Sequence, residues 1–196
     1  MVPAGIASGG AVGYLGDGER SNKTTPCSKR YGHLLGERTE VDHIATADAI
    51  AAAAHASQVD KAGNPYVGHV RRVASYVDQT NTDAVVAALL HDVVEDAGIT
   101  AADLASQGIS AQAIEAVELL TRSKDQKPAE YYQRVRDHPI AREVKLADLA
   151  DNTDPTRLAV LSESDRTRLT RKYADAYLAL GADPGDGTRR RSQAAR

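Results

Sequence analysis

The stretch Ala87 to Asp96, AALLHDVVED, restricts this chain more than any other. An α-helix advances about 100° per residue, which sets Glu95 about 40°, Asp92 about 100° and Asp96 about 140° from His91. One imidazole and three carboxylates then share a face of an otherwise apolar helix. Val85, Val86, Leu89, Leu90, Val93 and Val94 wrap the remainder, so the helix is expected to be buried. Burying four ionisable groups without partners is costly. A divalent cation is the simplest species that stabilises them together.

The surroundings favour an all-α chain. Alanine is abundant, Phe and Trp are absent, and β-branched runs are short. Apolar spacing predicts a helix over 39–57, another from His69, one continuous helix from Thr82 to Asp96, and one from Ser110 to Arg122. Pro128 and Pro139 suit first turns of two more, and Ser164 is the expected cap of a last long helix. Residues 1–38 are rich in Gly, Ser, Lys and Thr without periodicity and are expected to lack structure, as is the basic tail at 183–196. Residues 39–182 form the expected domain.

Composition narrows the function classes. The net charge of −3 divides into +3 over residues 184–196 and −6 over the rest, which is not the footprint of a nucleic-acid-binding domain. No apolar run is long enough for a membrane span. The single cysteine, Cys27, excludes an internal disulfide framework and fits a reducing cytoplasm. A small-molecule ligand is the remaining expectation.

Candidate ligands for the cation lie on both sides of His91-Asp92. His69 precedes His91 by 22 residues, and Asp148 follows Asp92 by 56, in the helix KLADLADN. Two imidazoles and two carboxylates suit Mn²⁺, Fe²⁺ or a similar octahedral ion. Without a cysteine in reach, a structural zinc site does not fit. Lys145, Asp151 and Asn152 share the Asp148 face at i−3, i+3 and i+4. Lys145 is placed to offset phosphate charge and Asn152 to orient a water or a phosphate oxygen. Glu95, one turn after His91, is placed to take a proton from water, with Asp96 as its acidic partner.

Four stretches together resemble one family. They are AHASQVDKAGNPYVGH at 54–69, LLHDVVEDAGIT at 89–100, LLTR at 119–122 and VKLADLADN at 144–152. In this order and spacing they resemble the HD-domain phosphohydrolases, in particular the alarmone hydrolases of the Rel/SpoT type and their small stand-alone relatives. The resemblance implies an all-α fold with one Mn²⁺ held by His69, His91, Asp92 and Asp148. It implies a catalytic acidic pair at Glu95 and Asp96, an active-site asparagine at Asn152, and a phosphate-facing lysine at Lys61. Arg122 and Lys145 join the cations expected near the phosphates. The implied reaction is attack by water that removes the 3′-pyrophosphate of guanosine tetra- or pentaphosphate.

The chain departs from that pattern at several points. Asp60 stands where the family usually has an arginine that stacks on guanine, and a carboxylate provides no cation–π contact. Val70 replaces a usual proline, and Leu149 and Asp151 replace a usual arginine and histidine. An adenine analogue is therefore also a candidate. Two other readings stay open: an HD phosphohydrolase acting on a nucleoside mono- or triphosphate, and a nucleotide-binding module without catalysis.

Overall fold

The computed structural model describes residues 32–61 and 63–196, with side chains from His43 onward. Helices carry the fold. Helix α1 (Gly32–Ala54) precedes a loop, then come α2 (Val67–Ser75), α3 (Thr82–Leu90) and α4 (Val93–Ala97). Helices α5 (Ala101–Ser106), α6 (Ala111–Leu120), α7 (Pro128–Asp137) and α8 (Pro139–Asn152) follow. The chain closes with α9 (Pro155–Ala159), α10 (Glu163–Ala179) and α11 (Asp186–Ala194). The all-α class agrees with the sequence. The only bridge among the described residues is the isolated antiparallel pair Val59–Pro65. No helix among them is long and apolar enough to cross a membrane.

The core forms around α3, in which every residue from Ala84 to Leu90 is buried. A helix apolar all round must be enclosed, and α1, α2, α6 and α8 pack against this one. Helix α8 buries Val144, Leu146, Ala147, Leu149 and Ala150 against α2, α3, α6 and α7. The small side chains of α1 (Ala47, Ala51) and of α3 (Ala84, Ala87, Ala88) are fully buried. Helices α2, α3 and α8 thus meet at the centre: α2 carries His69, α8 carries Asp148, and α3 ends at His91-Asp92.

Start signals match the sequence in most places. The Asn81 side chain accepts from Ala84 N, Ser110 from Ala113 N, and Thr100 with Asp103 forms a capping box. The last long helix is capped by Ser162 rather than Ser164, because Ser162 accepts from Asp165 N.

Two expectations need correction. The helix expected from Thr82 to Asp96 is broken at His91-Asp92, where the chain makes a turn between α3 and α4. His91 Nδ1 bonds Ala88 O at 2.8 Å, the carbonyl that the Asp92 N–H would use in an unbroken helix. The basic tail is also structured: Asp186–Ala194 is a helix lying on α8. Arg191 donates to Ala150 O in the last turn of α8, and Arg190 reaches Tyr76 O at 3.1 Å. Arginines satisfy carbonyls and the negative dipole end there. Gly187 makes the approach possible, since a Cβ would stand 3.2 Å from Ala150 Cα. The expected unstructured segment 1–38 lies outside the described residues up to 31, and α1 takes up the rest.

Candidate metal centre and adjoining pockets

The loop between α1 and α2 is tight. Asp60 N donates to Asn64 O at 2.8 Å, Asn64 N donates back to Asp60 Oδ1 at 3.0 Å, and Gly63 takes φ 82°, open to glycine without strain. The loop delivers Tyr66 and His69 to the centre. His69 Nε2 lies 3.4 Å from Asp148 Oδ1 and 3.9 Å from Asp92 Oδ2. His91 Nε2 lies 3.0 Å from Asp92 Oδ2 and 3.9 Å from Asp148 Oδ1. His69, His91 and Asp92 each offer one donor atom within a single ion's reach, and Asp148, outside that group of three, sets Oδ1 within 4 Å of both imidazoles.

The imidazoles are oriented as a cation requires. His91 Nδ1 faces a carbonyl, and His69 Nδ1 faces the Asp151 carboxylate at 2.6 Å. Ala88 O and the Asp151 carboxylate only accept, so each Nδ1 carries its hydrogen even though Arg157 Nη1 stands 3.2 Å from His69 Nδ1, and each Nε2 would present its lone pair to a bound cation. His91 Nε2 is buried and has no hydrogen-bond partner among the described residues. An orphaned nitrogen beside three other donors is what a cation would satisfy. The histidines are thus held by outer partners in the manner of metal ligands.

The carboxylates are held as firmly. Tyr66 Oη donates to Asp92 Oδ2 at 2.5 Å. Lys145 Nζ donates to Asp148 Oδ2 at 2.8 Å, and Asn152 Nδ2 to Asp148 Oδ1 at 2.5 Å. Burial pushes the Asp92 and Asp148 carboxyls up, but His91 beside the first and Lys145 beside the second hold both below the ordinary carboxylate range. Burial and the Asp92 charge raise the Tyr66 phenol, so it stays a donor. Burial works against the His69 imidazolium, yet the hydrogen bonds to Asp148 and Asp151 carry it up to about 9.

Asp151 is fully buried and anchors more than His69. Arg72 grips it through Nε at 2.6 Å and Nη2 at 3.1 Å, and Arg157 Nη1 also donates to it. The other arm of Arg157 reaches Asp60 Oδ2 at 3.3 Å. A chain of ionic contacts therefore runs from the loop at Asp60 to the imidazole of His69.

Two cavities open off this centre. A pocket of about 200 Å³ is lined by Tyr66, Asp92, Glu95, Lys145, Asp148 and Asn152, together with Tyr132, Lys172 and Tyr173. A second, of about 280 Å³, shares Tyr66, Asn152 and Tyr173 and adds Asp60, Lys61, Arg157 and an apolar wall including Leu158 and Leu169.

A family model described as HD domain matches residues 47–184. The chain belongs to the HD-domain family. Residues of this HD domain are 33% identical over 142 positions to a guanosine-3′,5′-bis(diphosphate) 3′-pyrophosphohydrolase of Haemophilus influenzae, covering 67% of this chain and 21% of the relative. The bifunctional (p)ppGpp synthase/hydrolase SpoT of Escherichia coli is 31% identical over 152 residues, 72% of this chain and 22% of its own. A GTP pyrophosphokinase of Myxococcus xanthus is 29% identical over 155 residues, 72% of this chain and 20% of its own. The chain spans about a fifth of the length of these relatives. A solved structure of a metazoan ortholog of SpoT that hydrolyzes ppGpp superposes with a TM-score of 0.62 at 22% identity, over 78% of this chain and 93% of that one. This last likeness speaks for the fold.

Not all residues singled out in the sequence meet at the centre of the HD domain. His69, His91, Asp92 and Asp148 converge, and Glu95, Lys145 and Asn152 line the pocket beside them. Lys145 is committed to Asp148 rather than free. Lys61 stands at the second cavity. Asp96 accepts from Gln58 Nε2 at 2.8 Å, and Gln58 in turn meets His55 Nδ1 at 2.6 Å. Arg122 turns its guanidinium to Gln126 O at 3.3 Å, in a neighbouring groove, while its backbone N–H reaches Glu95 Oε2 at 3.4 Å. The sequence pattern did not single out Tyr66, or Asp151 as the holder of His69. The available signals were the i−3 step from His69 to Tyr66 and the i+3 step from Asp148 to Asp151.

Proposed function

We propose that the chain is a Mn²⁺-dependent pyrophosphohydrolase that removes the 3′-pyrophosphate of a nucleotide alarmone such as (p)ppGpp or its adenine analogue. The observation that carries this reading is the inward-facing, buried and unpartnered Nε2 of His91, set among His69, Asp92 and Asp148 beside a pocket that holds Glu95. The printed activities of the relatives from Haemophilus influenzae and Escherichia coli support the substrate class.

In this reading His69, His91, Asp92 and Asp148 hold the cation. When bound, the cation supplies Lewis-acid charge at the phosphates and lowers the pKa of a water. Glu95 takes a proton from the attacking water, and Asn152, fixed to Asp148, orients it. The water oxygen bonds to the phosphorus next to the ribose, and the bond from that phosphorus to the 3′-oxygen breaks. The 3′-oxygen leaves with a proton, and pyrophosphate is released. Asp96, gripped by Gln58, holds the short helix that presents Glu95. Lys61 neutralises phosphate at the mouth of the second cavity.

The test is to incubate the purified chain and Mn²⁺ with guanosine and adenosine 3′-pyrophosphorylated nucleotides and measure pyrophosphate. Release from at least one is expected, and release from neither overturns the reading. A second reading, hydrolysis of another nucleotide, draws on Asp60, which faces Arg157 at the second cavity instead of offering a cation there. Phosphate rather than pyrophosphate release across a nucleotide panel would favour it.

A further inference from the structure

Between α7 and α10 a groove of about 540 Å³ runs up to the metal pocket. Arg122, Arg168, Arg171 and Lys172 line it, against the single carboxylate of Asp175. Tyr132 and Lys172 line the groove and the metal pocket alike, so the two cavities share a wall. Three of the cations stand at i, i+3 and i+4 on α10 and therefore share one face.

These charges are poorly answered within the protein. Arg168 pairs with Asp165 at 2.7 Å, an exposed pair of small worth. No carboxylate among the described residues forms an ion pair with Arg171 or Lys172. Lys172 Nζ instead stands 5.7 Å from the centroid of the Tyr173 ring. Burial, then the nearby Lys145 and Lys61, hold the Lys172 ammonium below the ordinary lysine range. Like charges on one helix face are destabilising, so a run whose only ion pair among the described residues is Arg168–Asp165 suits a bound anion.

From the shared wall and the unanswered cations, we infer that this groove binds the 5′-polyphosphate arm of the nucleotide whose 3′-pyrophosphate occupies the metal pocket. The inference rests on the reading given under Proposed function. A nucleotide phosphorylated at both carbons needs anion sites on both sides of one ribose. The metal pocket and the groove supply two such sites with Lys172 between them. Selection for a doubly phosphorylated substrate would then lie in α10, not in the cage.

The experiment is steady-state kinetics of the full chain with Mn²⁺ on nucleoside 3′-pyrophosphates bearing a 5′-hydroxyl, diphosphate or triphosphate. The wild-type chain is expected to favour the 5′-triphosphate over the 5′-hydroxyl compound by about tenfold or more in kcat/KM, chiefly through KM. In the Arg171→Ala/Lys172→Ala double variant that ratio is expected to fall to about twofold or less, with Lys172→Arg restoring part of it. A flat wild-type series, or a double variant that slows all substrates equally, overturns the inference. If no substrate yields pyrophosphate, it is the functional reading that fails. The groove is then read by calorimetric titration of inorganic tripolyphosphate onto the metal-free chain. Binding about tenfold weaker in the double variant supports an anion site, and equal binding overturns it.

Discussion

The cage and the rim of this site are built on opposite plans. In the cage His69, His91 and Asp148 are nearly devoid of solvent contact, and each has its orientation set by at least one further group. At the rim, Lys61 and Glu95 are exposed and Lys172 Nζ stands over the Tyr173 ring, with no ion pair among the described residues. Buried polar groups must be fully satisfied, so the cage tolerates one arrangement. The rim is free to change charge without disturbing the fold. The departures from the family pattern divide accordingly. Asp151 stands in the cage, answered by Arg72 and Arg157, whereas Asp60 stands in the loop between cage and rim, joined to the cage through Arg157.

If the cage is the chemical part, damage there should exceed damage anywhere else. His91→Ala is expected to lower kcat roughly a thousandfold or more, since several kcal/mol of charge stabilisation depend on the cation it helps hold. Pyrophosphate release at saturating substrate checks this, and a loss under tenfold would contradict the assignment of His91 as a ligand. Asp151→Asn comes next. It keeps the shape but removes the charge facing the His69 Nδ1–H, and affinity for Mn²⁺ is expected to fall about 10- to 100-fold. Calorimetric titration of the apo chain reads that directly, and unchanged affinity would show that Arg72 and Arg157 alone define the geometry.

Removing the cation tests the same contrast through stability. A cation at a hundred times its Kd stabilises the folded state by about 2.7 kcal/mol. For a chain of this size, chelation should then lower Tm by roughly 5–10 °C. The shift should vanish in His91→Ala, while an Arg171→Ala/Lys172→Ala chain keeps it in full. Equal shifts in all three would show that the ion acts outside the cage.

How far the sequence disclosed this arrangement follows the same division. The convergence of His69, His91, Asp92 and Asp148 was legible because burial leaves few ways to satisfy two histidines and two aspartates among valines and leucines. The helices were legible because apolar spacing and caps such as Asn81, Ser110 and Thr100 act locally. The break at His91-Asp92 was not legible, because a side chain capturing Ala88 O leaves no mark in the apolar spacing. The final helix escaped for a similar reason. Its arginines look like a solvated run until the open carbonyls of α8 are in place to receive Arg191. Tyr66 was hidden because a tyrosine inside a helical pattern ordinarily packs, and only the fold brings its hydroxyl to Asp92.

The smallest effect is expected at Lys61, and it separates the two regions most cleanly. Lys61 is exposed at the turn of the loop, one residue from Asp60, and none of the ion pairs at the centre includes it. Lys61→Ala should raise KM about tenfold, the worth of one charge-assisted contact to phosphate, and leave Tm within about 1 °C. Asp60→Ala makes the contrast, because it removes a partner of Arg157, which also holds Asp151. It should therefore weaken Mn²⁺ binding as well as substrate binding, while Lys61→Ala affects the substrate alone. Parallel titration of the two variants with Mn²⁺ decides the matter. If Asp60→Ala binds the ion as tightly as the wild-type chain, the ionic contacts from loop to imidazole transmit nothing, and rim and cage are energetically separate.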